Sequence, residues 1–142
     1  MFNNQKRKMA SEMLVSVDLL EKGFMVLEPK TDIIENYDLA VDNGNKIVKV
    51  QVKSGRSDDK GRMIVDIRRS SNIKTSRQYE KGAYDIIAIV NLEIRSVIYI
   101  KKDDMTAKSS INVWWCEKDK VPTKGRGNKK IIYSDYQDFP II

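Results

Sequence analysis

The chain has 142 residues, with 26 lysines and arginines against 20 acids, one cysteine and no histidine. The lone Cys116 permits no internal disulfide and fits a reducing, cytoplasmic setting. Without histidine there are no His-based triads, zinc–histidine centres or histidine bases, which leaves acid–base or metal chemistry to carboxylates, amides, lysine and tyrosine. The net charge of +6 favours an anionic partner, nucleic acid first. The length suits one domain, spanning 1–142. The opening MFNNQKRKMASEM has no apolar signal core, and no run of about 18 apolar residues follows, so a soluble protein with no membrane association is expected.

Residues 4–22 read as a helix, because Met9, Ala10, Met13, Leu14, Val17 and Leu20 recur at three- and four-residue spacing. Gly23 is a natural stop. FMVLEP (24–29) reads as a short strand, and YDLAV (37–41) as a second after a polar connection. Asp42-Asn43-Gly44-Asn45 is a hairpin turn signal. IVKVQVK (47–53) alternates cleanly: Val48, Val50 and Val52 on one side, Lys49, Gln51 and Lys53 on the other. RMIVDI (62–67) is a further strand, and 68–82 a polar loop with a short helix near 76–81. YDIIAIV (84–90) is apolar enough to be buried on both faces. SVIYI (96–100) is the next strand, KDDMTAK (102–108) a helical turn, and INVWWC (111–116) an edge strand. PTKGRGNKK (122–130) is a basic loop, and the tail IIYSDYQDFPII is apolar enough to dock. The order predicts an α/β fold with a central mixed β-sheet flanked by helices.

Across the hairpin, a two-residue loop sets Asp38 opposite Lys49, and a four-residue loop sets it opposite Gln51. Either register gathers Asp38, Gln51 and Lys53 on one side, with the valines and Tyr37, Leu39 and Val41 on the other. Such a patch is either an ordinary half-exposed polar face or a site. As a site, Asp38, the Gln51 amide oxygen and the Val52 carbonyl are hard oxygen ligands of the kind Mg2+ takes. The lysine between them and solvent would neutralise charge on a phosphate.

Asp38, a turn, then Gln51-Val52-Lys53 resembles the signature of the PD-(D/E)XK nuclease superfamily. Tyr37 stands where a proline usually precedes the aspartate, and Gln51 where a glutamate or aspartate is usual. Together with Ala10-Ser11-Glu12, Lys22-Gly23-Phe24 and Tyr84-Asp85-Ile86-Ile87-Ala88, the pattern is most similar to the group I intron homing endonucleases known from cyanobacteria, over roughly residues 5–105. The resemblance implies a restriction-endonuclease-like core. It also implies a catalytic set of Glu12, Asp38, Gln51 and Lys53, with Glu12 joining Asp38, Gln51 and Val52 at the metal. The implied reaction is Mg2+-dependent hydrolysis of double-stranded DNA. Without the resemblance Glu12 reads as a surface helix residue.

Two basic segments, about 54–78 and 121–130, are the expected DNA contacts through Arg56, Arg62, Arg68, Arg69, Lys74, Arg77, Lys124, Arg126, Lys129 and Lys130. Gln78 and Tyr79 lie where they would approach the site. One site per chain cuts one strand, so cleavage of a duplex requires a homo-oligomer, dimer or tetramer. Trp114-Trp115 and the tail are candidates for its interface and equally for the core. Two other readings fit the same residues: a Holliday junction resolvase, and a DNA-binding module of this fold without catalysis.

Overall fold

The computed structural model of the protein describes residues 3–30, 36–68, 82–105, 107, 109–123 and 130–142. The expected short helix near 76–81, Gln78 and Tyr79, and the candidate DNA ligands Arg69, Lys74, Arg77, Lys124, Arg126 and Lys129 lie outside these residues. Among the described residues no helix is long and apolar enough to cross a membrane.

Helix α1 spans Asn4–Glu21, capped by the Asn3 side chain, which accepts from the Lys6 amide at 2.8 Å. It ends at Gly23, whose φ of +90° a residue with a Cβ rarely adopts. The buried face of α1 differs from the expected one. Ser11, Val15 and Leu19 are buried, whereas Met9, Met13, Val17 and Leu20 are exposed. Both sets recur at helical spacing, so periodicity alone admits either. Ala10 and Leu14 lie partly buried between them.

The strands are β1 (Met25–Leu27), β2 (Leu39–Asp42), β3 (Ile47–Gly55), β4 (Arg62–Asp66), β5 (Ile86–Asn91), β6 (Ser96–Lys101), β7 (Ser110–Trp114) and β8 (Ile131–Ile132). They form a five-stranded sheet in the order β1-β2-β3-β5-β6 and a three-stranded sheet in the order β4-β7-β8. The large sheet is mixed: β3 and β5 run parallel and its other pairs antiparallel. INVWWC, expected at an edge, is instead central in the small sheet, between β4 and β8. The short β8 was hidden inside what reads as a docking tail. Three single turns of 3-10 helix, at Lys102–Asp104, Lys118–Lys120 and Tyr133–Asp135, complete the described elements.

The β2–β3 hairpin adopts the four-residue loop: Leu39 faces Val50 and Asp42 faces Ile47. Gly44 sits in the turn at φ +86°, and its amide donates to the Asp42 carboxylate at 2.9 Å. Asn43 Oδ1 accepts from the amides of Asn45 and Lys46, which closes the turn with local bonds.

Two cores lie on the two faces of the large sheet. On one face Val15 and Leu19 of α1 pack onto Leu39, Val41, Val48, Val50, Val52, Ile86, Ala88, Val90, Val97 and Tyr99. The tail docks here as the sequence implies: Phe139 meets Phe24 and Tyr99 at ring-centre distances of 5.0 and 5.3 Å. On the other face Ile87, Ile89, Ile98 and Ile100 meet Met63, Val65, Ile111, Val113 and Trp115 of the small sheet. Strand β5 is therefore buried on both faces, as its unbroken apolar run predicts. Among the described residues α1 is the one α-helix, and the second sheet covers the face opposite it. Tyr37 packs into the inter-sheet core and not with Leu39 and Val41, because strand alternation begins only at Leu39.

Leu19 is fully buried while Ile94 is more than half exposed. Leu19→Ala is expected to lower unfolding free energy by about 2–5 kcal/mol and Ile94→Ala by less than about 0.5 kcal/mol, read by urea denaturation.

Candidate active site

The site forms where β2 begins beside the middle of β3. Asp38 precedes β2, and its backbone amide still donates to the Val50 carbonyl at 2.9 Å, which extends the ladder by one residue. Its side chain is 5% exposed. The two carboxylate oxygens are used differently. Oδ2 accepts twice, from Gln51 Nε2 at 2.9 Å and from the Val52 amide at 2.8 Å. Oδ1 is turned toward α1, where Lys8 Nζ lies 3.7 Å away.

Glu12, one turn after Lys8, lies close enough to Asp38 for the two carboxyls to interact. Burial, then the Asp38 charge, push the Glu12 carboxyl up from its ordinary range to about 7. Lys8 and Glu28 act in opposite senses on it, Lys8 lowering and Glu28 raising. Burial beside the Asp38 charge favours the protonated form of Glu12, and a bound cation would favour the ionised form instead.

Gln51 is buried, and since its Nε2 is committed to Asp38, its Oε1 is directed elsewhere. Among the described residues that oxygen has no hydrogen-bond partner. An orphaned buried acceptor is costly, and a metal ion or water meets its need. Among the described residues no group of three or more Asp, Glu, Cys or His side chains assembles. The donor set here is two carboxylates and an amide oxygen, which fits a hard, oxygen-loving divalent cation of modest affinity.

Lys53 follows two residues along β3, on the same side of the strand as Gln51. Its Nζ donates to the Arg68 carbonyl at 3.2 Å. Burial lowers its pKa from the ordinary lysine value, and the charges of Asp38 and Asp66 partly oppose that. The contact also brings the end of β4 to the site, so Arg68 lies next to it. Glu12, Asp38, Gln51 and Lys53 are thus all gathered at one place. Val52 contributes its amide to Asp38, while its side chain belongs to the helix-side core.

The expected DNA ligands are less uniform. Arg56 is exposed and Lys130 partly buried. Arg62 pairs with Asp58 at 3.5 Å, and Arg68 forks onto Asp66 at 3.1 and 3.0 Å. These are surface pairs of small net worth, and phosphate can replace the carboxylate. Trp114 and Trp115 are both buried, and Trp115 stacks on Tyr133 at 5.9 Å, so their role is in the core. Sequence reasoning missed Lys8, although its position one turn before Glu12 was the available signal.

An N-terminal helix laid on a mixed sheet, with Asp38 and the Gln51-Val52-Lys53 strand at its opening, fits the PD-(D/E)XK endonucleases with an amide in place of the usual second acid. The family model described as PD-(D/E)XK endonuclease matches residues 2–130, and the chain belongs to that family. It is a DNA-cleaving hydrolase with a restriction-endonuclease-like fold, of a family that works with divalent metal ions. Among solved structures, that of the bacterial homing endonuclease I-Ssp6803I is similar, with a TM-score of 0.74 and 25% identity over 96% of this chain and 89% of that one. No curated protein matches the sequence.

The raised Glu12 pKa sets a direction for stability. The metal-free native state holds that proton more tightly than the unfolded chain. Its contribution is therefore full below the ordinary value of 4.5 and is lost as pH rises through about 7. With a chelator present, the urea midpoint should fall between pH 5 and pH 8, and Glu12→Gln should flatten that fall.

Proposed function

We propose that the protein is a Mg2+-dependent, sequence-specific DNA endonuclease of the homing type, acting on double-stranded DNA as a homo-oligomer. The observation that carries this reading is the division of Asp38. One oxygen is tied to the hairpin and the other is left toward α1, 3.7 Å from Lys8, with Glu12 near Asp38 and the Gln51 Oε1 without a hydrogen-bond partner among the described residues. Glu12, Asp38, Gln51 and the Val52 carbonyl would hold the metal. When bound, Mg2+ supplies an electrophile for the phosphate oxygen and acidifies water at the site.

The remaining work falls to the chain's own groups. Asp38 is held in one rotamer by two hydrogen bonds, so it need not reorganise when substrate arrives. Gln51 is an amide and cannot take a proton, so its part is to ligate. Lys53 lies beside Gln51 with its Nζ anchored on the Arg68 carbonyl. It would orient the attacking water and meet the non-bridging oxygen of the scissile phosphate. Burial makes its ammonium more acidic than a surface lysine's, so it can also hand on a proton. In the reaction the water oxygen bonds to phosphorus, the bond to the leaving oxygen breaks, and the displaced proton ends on the leaving oxygen.

In this reading residues 1–142 form one endonuclease domain. The segments at about 54–78 and 121–130, with Arg56, Arg62, Arg68, Arg69, Lys74, Arg77, Lys124, Arg126, Lys129 and Lys130, follow the DNA backbone and read its bases. The similar homing endonuclease supports a duplex target over a junction, and the orphaned oxygen beside Lys53 supports catalysis over binding alone.

The test incubates the protein, with and without Mg2+, against a fragmented-genome library and a four-way junction. Mg2+-dependent cuts at one or few duplex sites are expected. Lys53→Ala should lose cleavage by about 10²-fold or more while keeping DNA affinity. Asp38→Asn should lose metal binding in calorimetry. Cutting of the junction alone would identify a resolvase, and binding without any cut would identify an inactive module.

A further inference from the structure

Met9, Met13, Val17 and Leu20 are 58, 65, 51 and 57% exposed, on the side of α1 away from Ser11, Val15 and Leu19. At 3.6 residues per turn they fall within about a quarter of the helix circumference and run about 16 Å along it. Four large apolar side chains in one contiguous stripe are unlike the scattered exposed hydrophobics of an ordinary surface. Lys6 is exposed at the N-terminal end of the stripe and Glu21 at its C-terminal end. Lys22 does not cancel Glu21, since its ammonium bonds both oxygens of Asp18 at 2.9 Å.

We infer that this outer face of α1 is where a second copy of the chain docks, with the two helices antiparallel about a twofold axis. The inference rests on the homo-oligomer proposed above and names its surface. An isologous contact must be self-complementary, and the stripe is so in one direction only. With the axis near the middle of the stripe, Met9 of one copy meets Leu20 of its partner and Met13 meets Val17. The offset leaves each Lys6 within side-chain reach of the other copy's Glu21, about 4 Å along the axis. A parallel pair would set lysine beside lysine and glutamate beside glutamate, and would align the two helix dipoles. The docking face leaves the site open, because Lys8 and Glu12 project from the side of α1 that faces Asp38. One helix pair makes a small interface, so assembly should depend on concentration.

The full chain is examined by analytical ultracentrifugation from about 1 to 200 μM, the range in which a small interface titrates. The wild type is expected to self-associate. Met13→Lys and Val17→Lys, at exposed positions where circular dichroism should not change, are expected to weaken association by about tenfold or more. Lys6→Glu and Glu21→Lys are each expected to weaken it by a few-fold, and the double variant to restore it. Lys53→Ala is expected to associate like the wild type, so failure of the catalytic reading would leave this result standing. A wild type of single-chain mass at every concentration would overturn both the oligomer and this face. Association that survives Met13→Lys and Val17→Lys would overturn the face alone. A double charge variant no better than its parents would overturn the antiparallel contact.

Discussion

The site depends on one carboxylate oxygen. Asp38 Oδ2 accepts from a side chain and a backbone amide of the neighbouring strand, and in doing so it fixes three things together. It pins the hairpin register, it holds the Gln51 amide with its oxygen turned away, and it leaves Oδ1 for the helix. A shift of one residue along β3 would exchange Gln51 for a valine and put the aspartate against the apolar core. The geometry needed for chemistry and the geometry needed for pairing are thus set by the same two bonds.

A polar cluster within a sheet is tolerated here because the large sheet is covered unevenly. Strands β5 and β6 lie between α1 and the small sheet, and from Ile86 to Val90 and from Val97 to Ile100 their residues pack into the cores on both sides. At β3 the helix side stays apolar, with Val48, Val50 and Val52, while the opposite side carries Lys49, Gln51 and Lys53. The site lies at that margin, where burial is deep enough to raise the Glu12 carboxyl and lower the Lys53 ammonium. Both shifts favour the neutral forms, and a divalent ion and a phosphate would reverse both.

Much of this was legible in the sequence wherever a local rule had one solution. The alternation of β3 and the unbroken run of β5 each allow a single reading, and although the Asn-Gly turn allows two registers, both place Asp38, Gln51 and Lys53 together. The helix face was misread because α1 carries two stripes at helical spacing, and the bulkier one lies outside. What selects the inner stripe is tertiary: Val15 and Leu19 fill the core against Leu39, Val41, Val48 and Val50, and that orientation brings Glu12 to Asp38. Lys8 was missed for the same reason, since its partner stands 30 residues along the chain. The place of Trp114 and Trp115 depended on β8 and Tyr133, too short a stretch to announce a strand.

The helix-side core joins the two ends of the chain. Tyr99 donates to Asp18, 81 residues earlier, at 2.5 Å, its own amide donates to the Tyr136 carbonyl, and Phe139 closes over its ring. Helix α1 therefore lacks part of its packing until contacts about 80 to 120 residues away along the chain have formed. The β2–β3 hairpin closes on local bonds, whereas the seat of α1, and with it the position of Glu12, is completed by contacts of high sequence separation, so the hairpin half of the site is expected to form faster than the helix half.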